Sequence, residues 1–197
     1  MINLVIILLL GIAGAVGIYI GLWKPLQHCR KYPLHYFARK GNVEKIQQIL
    51  QEGRNNVNER DPENNNNTPL HVALNWERLE MCRYLIHQNA DVQIGNEFSE
   101  TALHIAAESG NLDICRLLLE HGAKTDVRES EQRTPLHQAA EEGLVDVCRL
   151  LLEHGADSTL TEEEGLTPYE LAEKNELDKQ TLSELAKILY IPEKKKQ

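Results

Sequence analysis

Residues 100–124 read ETALHIAAESGNLDICRLLLEHGAK, and the pattern returns at residues 134–157 as TPLHQAAEEGLVDVCRLLLEHGAD. Looser copies stand at 68–91 and 167–189, so Thr68, Thr101, Thr134 and Thr167 step by 33 residues each time. Self-similarity at a fixed period of this length marks a stacked array, in which each repeat is one supersecondary unit.

The physics of one unit follows from its residues. Thr134 is an N-cap whose hydroxyl takes an orphan helix N–H, and Pro135 sits at the first helical position with φ preset. Leu136, Ala139 and Ala140 then form a short helix that Gly143 ends in the left-handed conformation. Val145, Val147, Cys148, Leu151 and Leu152 fall at helical spacing in a second helix, stopped at Gly155. Two turns of helix are marginal alone. The small Ala face lets helices of adjacent units approach closely, so the core forms between neighbours.

TPLH at 68–71 and 134–137, TALH at 101–104, and LLLEHGA at 117–123 and 150–156 resemble the ankyrin-repeat family. The resemblance covers about residues 32–190, as four fairly full units and a C-terminal cap. It implies an all-α solenoid of helix pairs joined by projecting hairpins. It also implies protein binding through hairpin tips and the concave surface of the first helices.

The units divide as 32–67, 68–100, 101–133 and 134–166, with the cap at 167–190. The first begins at Tyr32-Pro33-Leu34-His35, with Tyr32 in the capping place and Phe37 where later units carry Ala. Such departures belong to a terminal unit with one neighbour. The step to the second unit is 36 residues, and the extra three are assigned to the loop DPENNNN at 61–67. In the second unit Glu77 replaces a helix-stop Gly, a poorer choice, and Asn89 replaces Gly122, which Asn tolerates.

Residues 2–23 contain no charged side chain. Twenty-two helical residues span about 33 Å, enough to cross a bilayer's hydrocarbon core. We read them as an uncleaved anchor: no Lys or Arg precedes the apolar run, and Trp23 beside Lys24 suits an interface. The competing reading is a signal peptide cut after Ala13-Gly14-Ala15, which leaves an exported soluble protein. Lys24, Arg30, Lys31, Arg39 and Lys40 precede every acid, so of the net charge of −9 the remaining chain carries −14. That acidity argues against nucleic acid as the main partner. The basic flank places the array in the cytoplasm by the positive-inside rule. Ala13, Gly17 and Gly21 recur every four residues, a ridge suited to self-association of two spans. Residues 24–31 form a short basic linker in which Cys29 is a candidate for lipidation. Residues 191–197 form a basic tail whose lysines third and fourth from the end resemble a dilysine retrieval signal.

The remaining chemistry reads as structural. His35, His71, His104 and His137 occupy one motif position, about 8–10 Å apart in neighbouring units, too far to share a metal. We assign them to hydrogen bonds with the local turn and the Thr hydroxyl. Cys82, Cys115 and Cys148 are likewise one per unit, beyond disulfide reach, and read as small buried hydrophobes. Glu141-Glu142 and Glu162-Glu163-Glu164 read as solvated acidic faces. No phosphate-cradling loop, nucleophile elbow or HExxH pattern occurs, so no catalytic residue, metal or cofactor is assigned. The candidate protein-binding positions are the pairs before each first-helix stop: Arg39 and Lys40, Asn75 and Trp76, Glu108 and Ser109, Glu141 and Glu142. They run from basic to acidic away from the N-terminus. Trp76 has two readings, an interface anchor or a cover for the gap at Glu77. The role expected is adaptor or scaffold, with regulatory subunit of a membrane complex as the alternative and an enzyme as the opposed class.

Overall fold

The computed structural model describes residues 30–53 and 55–189. Residues 2–23, read above as a membrane anchor, Cys29, Ala13, Gly17 and Gly21, and the tail beyond 189 lie outside the described residues. Among those described, no helix is long and apolar enough to cross a membrane.

Among the described residues ten helices alternate in pairs. The first helices are α1 (Pro33–Lys40), α3 (Pro69–Asn75), α5 (Ala102–Glu108), α7 (Pro135–Glu141) and α9 (Pro168–Lys174). The second helices are α2 (Val43–Gln51), α4 (Leu79–His87), α6 (Leu112–Glu120), α8 (Val145–Glu153) and α10 (Lys179–Leu189). First helices pack on first helices of the next unit and second on second, α1 on α3 through α7 on α9 and α2 on α4 through α8 on α10. Each pair also packs on itself. This all-helical stacking is consistent with the expected solenoid.

Small residues permit that layering. Ala73, Ala106, Ala139 and Ala172 are fully buried, beside Leu70, Leu103 and Leu136. Met81, Cys82, Leu85, Ile114, Cys115, Leu118, Val147, Cys148 and Leu151 continue the same cluster from the second helices. The stripe on α8 differs slightly from the expected one. Leu150 is fully buried and Leu152 only half-buried, because α8 faces α6 and α10 as well as its own partner.

The helix stops take the left-handed conformation that glycine permits without Cβ strain. Gly110 and Gly143 have φ of +73° and +70°, and a Cβ on Gly110 would meet Leu144 Cδ2 at 2.9 Å. The second unit holds the same conformation without glycine: Glu77 sits at φ +52° and Asn89 at +61°. The chain pitch therefore survives at Glu77, at the cost of steric strain in a non-Gly residue.

The loop before Thr68 closes through an isolated antiparallel bridge between Asp61 and Asn67, with Asp61 N–H donating to the Asn67 carbonyl at 3.0 Å. The equivalent closures are Asn96 to Glu100, Glu129 to Arg133 and Glu162 to Leu166. Aligned on these closures, two of the three extra residues fall in 61–67, and the third lies upstream of Asp61. This corrects the assignment of all three to the 61–67 loop.

Candidate functional site

The TPLH motif builds a ladder that fixes one unit on the next. In Thr68-Pro69-Leu70-His71 the Thr68 N–H donates to His71 Nδ1 at 3.2 Å, and the Thr68 hydroxyl lies 2.8 Å from the same nitrogen. Nδ1 is thus the acceptor and Nε2 carries the proton. Nε2 then donates to the carbonyl of Glu100, the last residue before the following unit, at 3.1 Å. His104 repeats this with Thr101 and the Arg133 carbonyl, and His137 with Thr134 and the Leu166 carbonyl. His35 Nε2 donates to Asn67 at 2.8 Å. In the cap Glu170 takes the His place, its Oε2 accepting from Thr167 N–H at 2.8 Å.

Burial pushes the imidazole of His71 down to about 4, against the opposing pull of the Glu100 carbonyl. His104 and His137 are lowered for the same first reason. These histidines are neutral braces. His121 and His154, in the EHGA close, donate from Nδ1 to the carbonyls of Leu117 and Leu150, both at 2.9 Å. Among the described residues no cluster of three or more His, Cys, Asp or Glu is arranged to hold a metal ion. Cys82, Cys115 and Cys148 are free and buried, and burial pushes each thiol up to about 12.

The helix-end pairs lie along one face of the stack. Arg39, Lys40, Asn75, Glu108, Ser109 and Glu142 are exposed, and Glu141 is half-buried. Trp76 keeps 45% of its surface exposed, with the Arg39 guanidinium 4.0 Å from its ring centroid. Arg39 and Trp76 therefore form one cation–π unit across two repeats. The Lys40 ammonium lies 5.9 Å from the Tyr36 ring. Ser109 turns back to the Ala106 carbonyl at 3.1 Å.

At the third and fourth units the face carries a cleft of about 160 Å³, where Glu108, Glu141 and Glu142 meet. Arg133 enters this cleft, its terminal nitrogens 3.1 Å from Glu141 Oε2 and 3.3 Å from Glu131 Oε2. Gln138, on α7, lines it from within and is 8% exposed. Burial raises the Glu108 carboxyl above its ordinary range, and Glu100, Glu142 and Glu141 add to the rise against Arg133.

Glu100, Arg133 and Gln138 were not among the expected site residues. A signal for Gln138 existed. Its column in the other units and the cap is Tyr36, Val72, Ile105 and Leu171, none of them a carboxamide.

The acidic runs also need correction. Glu162 is 7% exposed, its carboxylate accepting from Glu164 N–H and Leu166 N–H at 3.0 Å. Glu129, also 7% exposed, takes the N–H groups of Glu131 and Arg133 in the same way. Asp61 and Asn96 stand at the equivalent place, accepting from Glu63 and Phe98 N–H. Each ties off its own hairpin, because a closed loop leaves inward N–H groups that need an acceptor.

A family model for ankyrin repeats, described as three copies, matches residues 3–96 and 90–162. Together with the helix pairs, the Thr–His ladder and the tied-off hairpins, this places the chain in the ankyrin-repeat family.

Proposed function

We propose that this protein is a membrane-anchored adaptor or scaffold that binds a protein partner on the face formed by its first helices. Ankyrin repeats are protein-interaction modules. One observation supports this reading best: most of the stack's apolar residues are consumed in packing, and of the large apolar side chains left exposed among the described residues, Trp76, Leu79 and Phe98, it is Trp76 that stands at a first-helix end, with Arg39 on its ring. An aromatic ring with a charged group held on it is the composition of an interface anchor. The charge along the face passes from Arg39 and Lys40 to Glu108, Glu141 and Glu142, which orients a partner more than it adds affinity.

The anchor is the uncharged segment 2–23, and the basic residues that follow it place the array on the cytoplasmic side. Self-association through Ala13, Gly17 and Gly21, and lipidation at Cys29, are parts of the same proposal.

Affinity capture with the full-length chain, wild type against Trp76→Ala, tests the binding surface. The reading requires lost capture at an unchanged melting temperature. A fall in stability with capture retained on the folded fraction assigns Trp76 to packing instead. Protease applied to sealed and then permeabilised cells tests the topology. A mature N-terminus near Val16 would establish export after cleavage and overturn the anchor.

A further inference from the structure

We propose that the cleft between the third and fourth units receives the guanidinium of an arginine from the partner protein, held by Gln138, Glu108 and Glu142. This rests on the interaction-module reading and adds the partner's chemistry.

Four observations converge. Arg133 is already committed, its terminal nitrogens held by Glu131 and Glu141. Glu100 accepts from the Asn96 side-chain amide at 2.8 Å. Glu108 and Glu142 form no ion pair among the described residues, although both line the cleft and Arg133 offsets part of the charge at Glu108. Finally, Gln138 Oε1 is buried and meets no donor, and Arg133 Nε, on the same cleft, meets no acceptor.

A buried polar atom without a partner is costly, and native proteins rarely keep one without a reason. Here an orphan acceptor shares a cleft with two carboxylates that form no ion pair. That combination asks for a cation that also donates several hydrogen bonds in a plane. A guanidinium has five N–H donors in a fixed fork, whereas an ammonium is a compact point charge. A bare metal ion is disfavoured because no metal-holding arrangement of acids exists among the described residues. The orphan Arg133 Nε adds that the ligand brings an acceptor too. A peptide supplies both, an arginine side chain for Gln138 and a backbone carbonyl for Arg133. The raised Glu108 carboxyl agrees: burial first, and then the neighbouring acids, disfavour its charged form until a cation arrives.

The probe is N-acetyl-arginine methylamide, titrated into full-length protein and followed by NMR at the Gln138 side-chain amide and the Glu108 carboxyl carbon. Its citrulline counterpart keeps the shape and removes the charge. The arginine probe is expected to shift the Gln138 amide, lower the Glu108 titration midpoint, and bind at least tenfold more tightly than citrulline. Gln138→Leu, which installs the residue type of Leu171, should weaken binding at least fivefold with an unchanged or higher melting temperature. Should Gln138→Leu fail to fold, Glu108→Gln combined with Glu142→Gln makes the same test. Equal binding of citrulline, unchanged affinity in these variants, or no Gln138 response would overturn the proposal, leaving water as the partner of Gln138. A partner captured equally by wild type and Gln138→Leu would overturn the arginine cleft alone. Absence of any capture, beside a cleft that binds the arginine probe, would fault the interaction reading instead.

Discussion

Acidification should loosen the array through its Thr–His ladder. The His71 imidazole is held neutral near a pKa of about 4, against 6.5 for the free side chain. A depressed folded value means that the unfolded chain binds the proton first as pH falls. The stability is therefore fully present above pH 6.5 and is lost progressively down to about pH 4. At about 1.36 kcal/mol per unit, His71 alone accounts for about 3 kcal/mol over the whole window. About 2 kcal/mol of that is lost by pH 5. His104 and His137 act in the same direction. Urea denaturation at pH 7.5, 6 and 5 measures the slope before most carboxylates titrate. His71→Gln keeps a side chain able to close the capping box but removes the titration. It should be less stable at pH 7.5 and show a shallower fall toward pH 5. A variant that retains the full wild-type slope, or an imidazole titrating near 6.5 by NMR, would refute the reasoning.

The glycine stops offer a paired test by thermal melting. Gly110→Ala should cost clearly more than Gly122→Ala, since the first Cβ strikes Leu144 while the second meets nothing within 4 Å. Gly122→Ala should show only left-handed strain, about 1–2 kcal/mol. Thr134→Ala removes a helix cap and should lower stability by about 1 kcal/mol, read by urea denaturation. Leu118→Ala, in the buried cluster, should cost about 2–5 kcal/mol in the same assay. Thiol labelling at pH 8 should leave Cys82, Cys115 and Cys148 unmodified in the folded protein and label all three after denaturation.

The architecture was readable because each unit writes its own boundaries. Thr at the cap, His three residues later, and Gly at the stop are demanded by backbone chemistry that recurs every 33 residues. Glu77 shows the limit of that logic. Packing around α3 and α4 holds it left-handed at φ +52°, although local preference favours Gly. The hairpin acids were harder. Glu162 stands within a run of three glutamates, and only the closed loop distinguishes the one that turns inward. Asn96, Glu129 and Glu162 do recur at 33 residues, but with changing residue type, so no motif announces them. The acidic cleft depends on Arg133 and Gln138, whose positions are filled by other residue types in other units. Its chemistry arises between neighbours, where a one-unit reading has no access.

Site-specific photo-crosslinking in cells tests the central claim most directly. A photoreactive residue is placed at Trp76 on the first-helix face, or at the exposed Arg149 on α8, in the full-length chain. The interaction-module reading requires a discrete crosslinked protein from position 76 that is weak or absent from position 149. Crosslinking from position 149 alone, or an identical pattern from both, would contradict it.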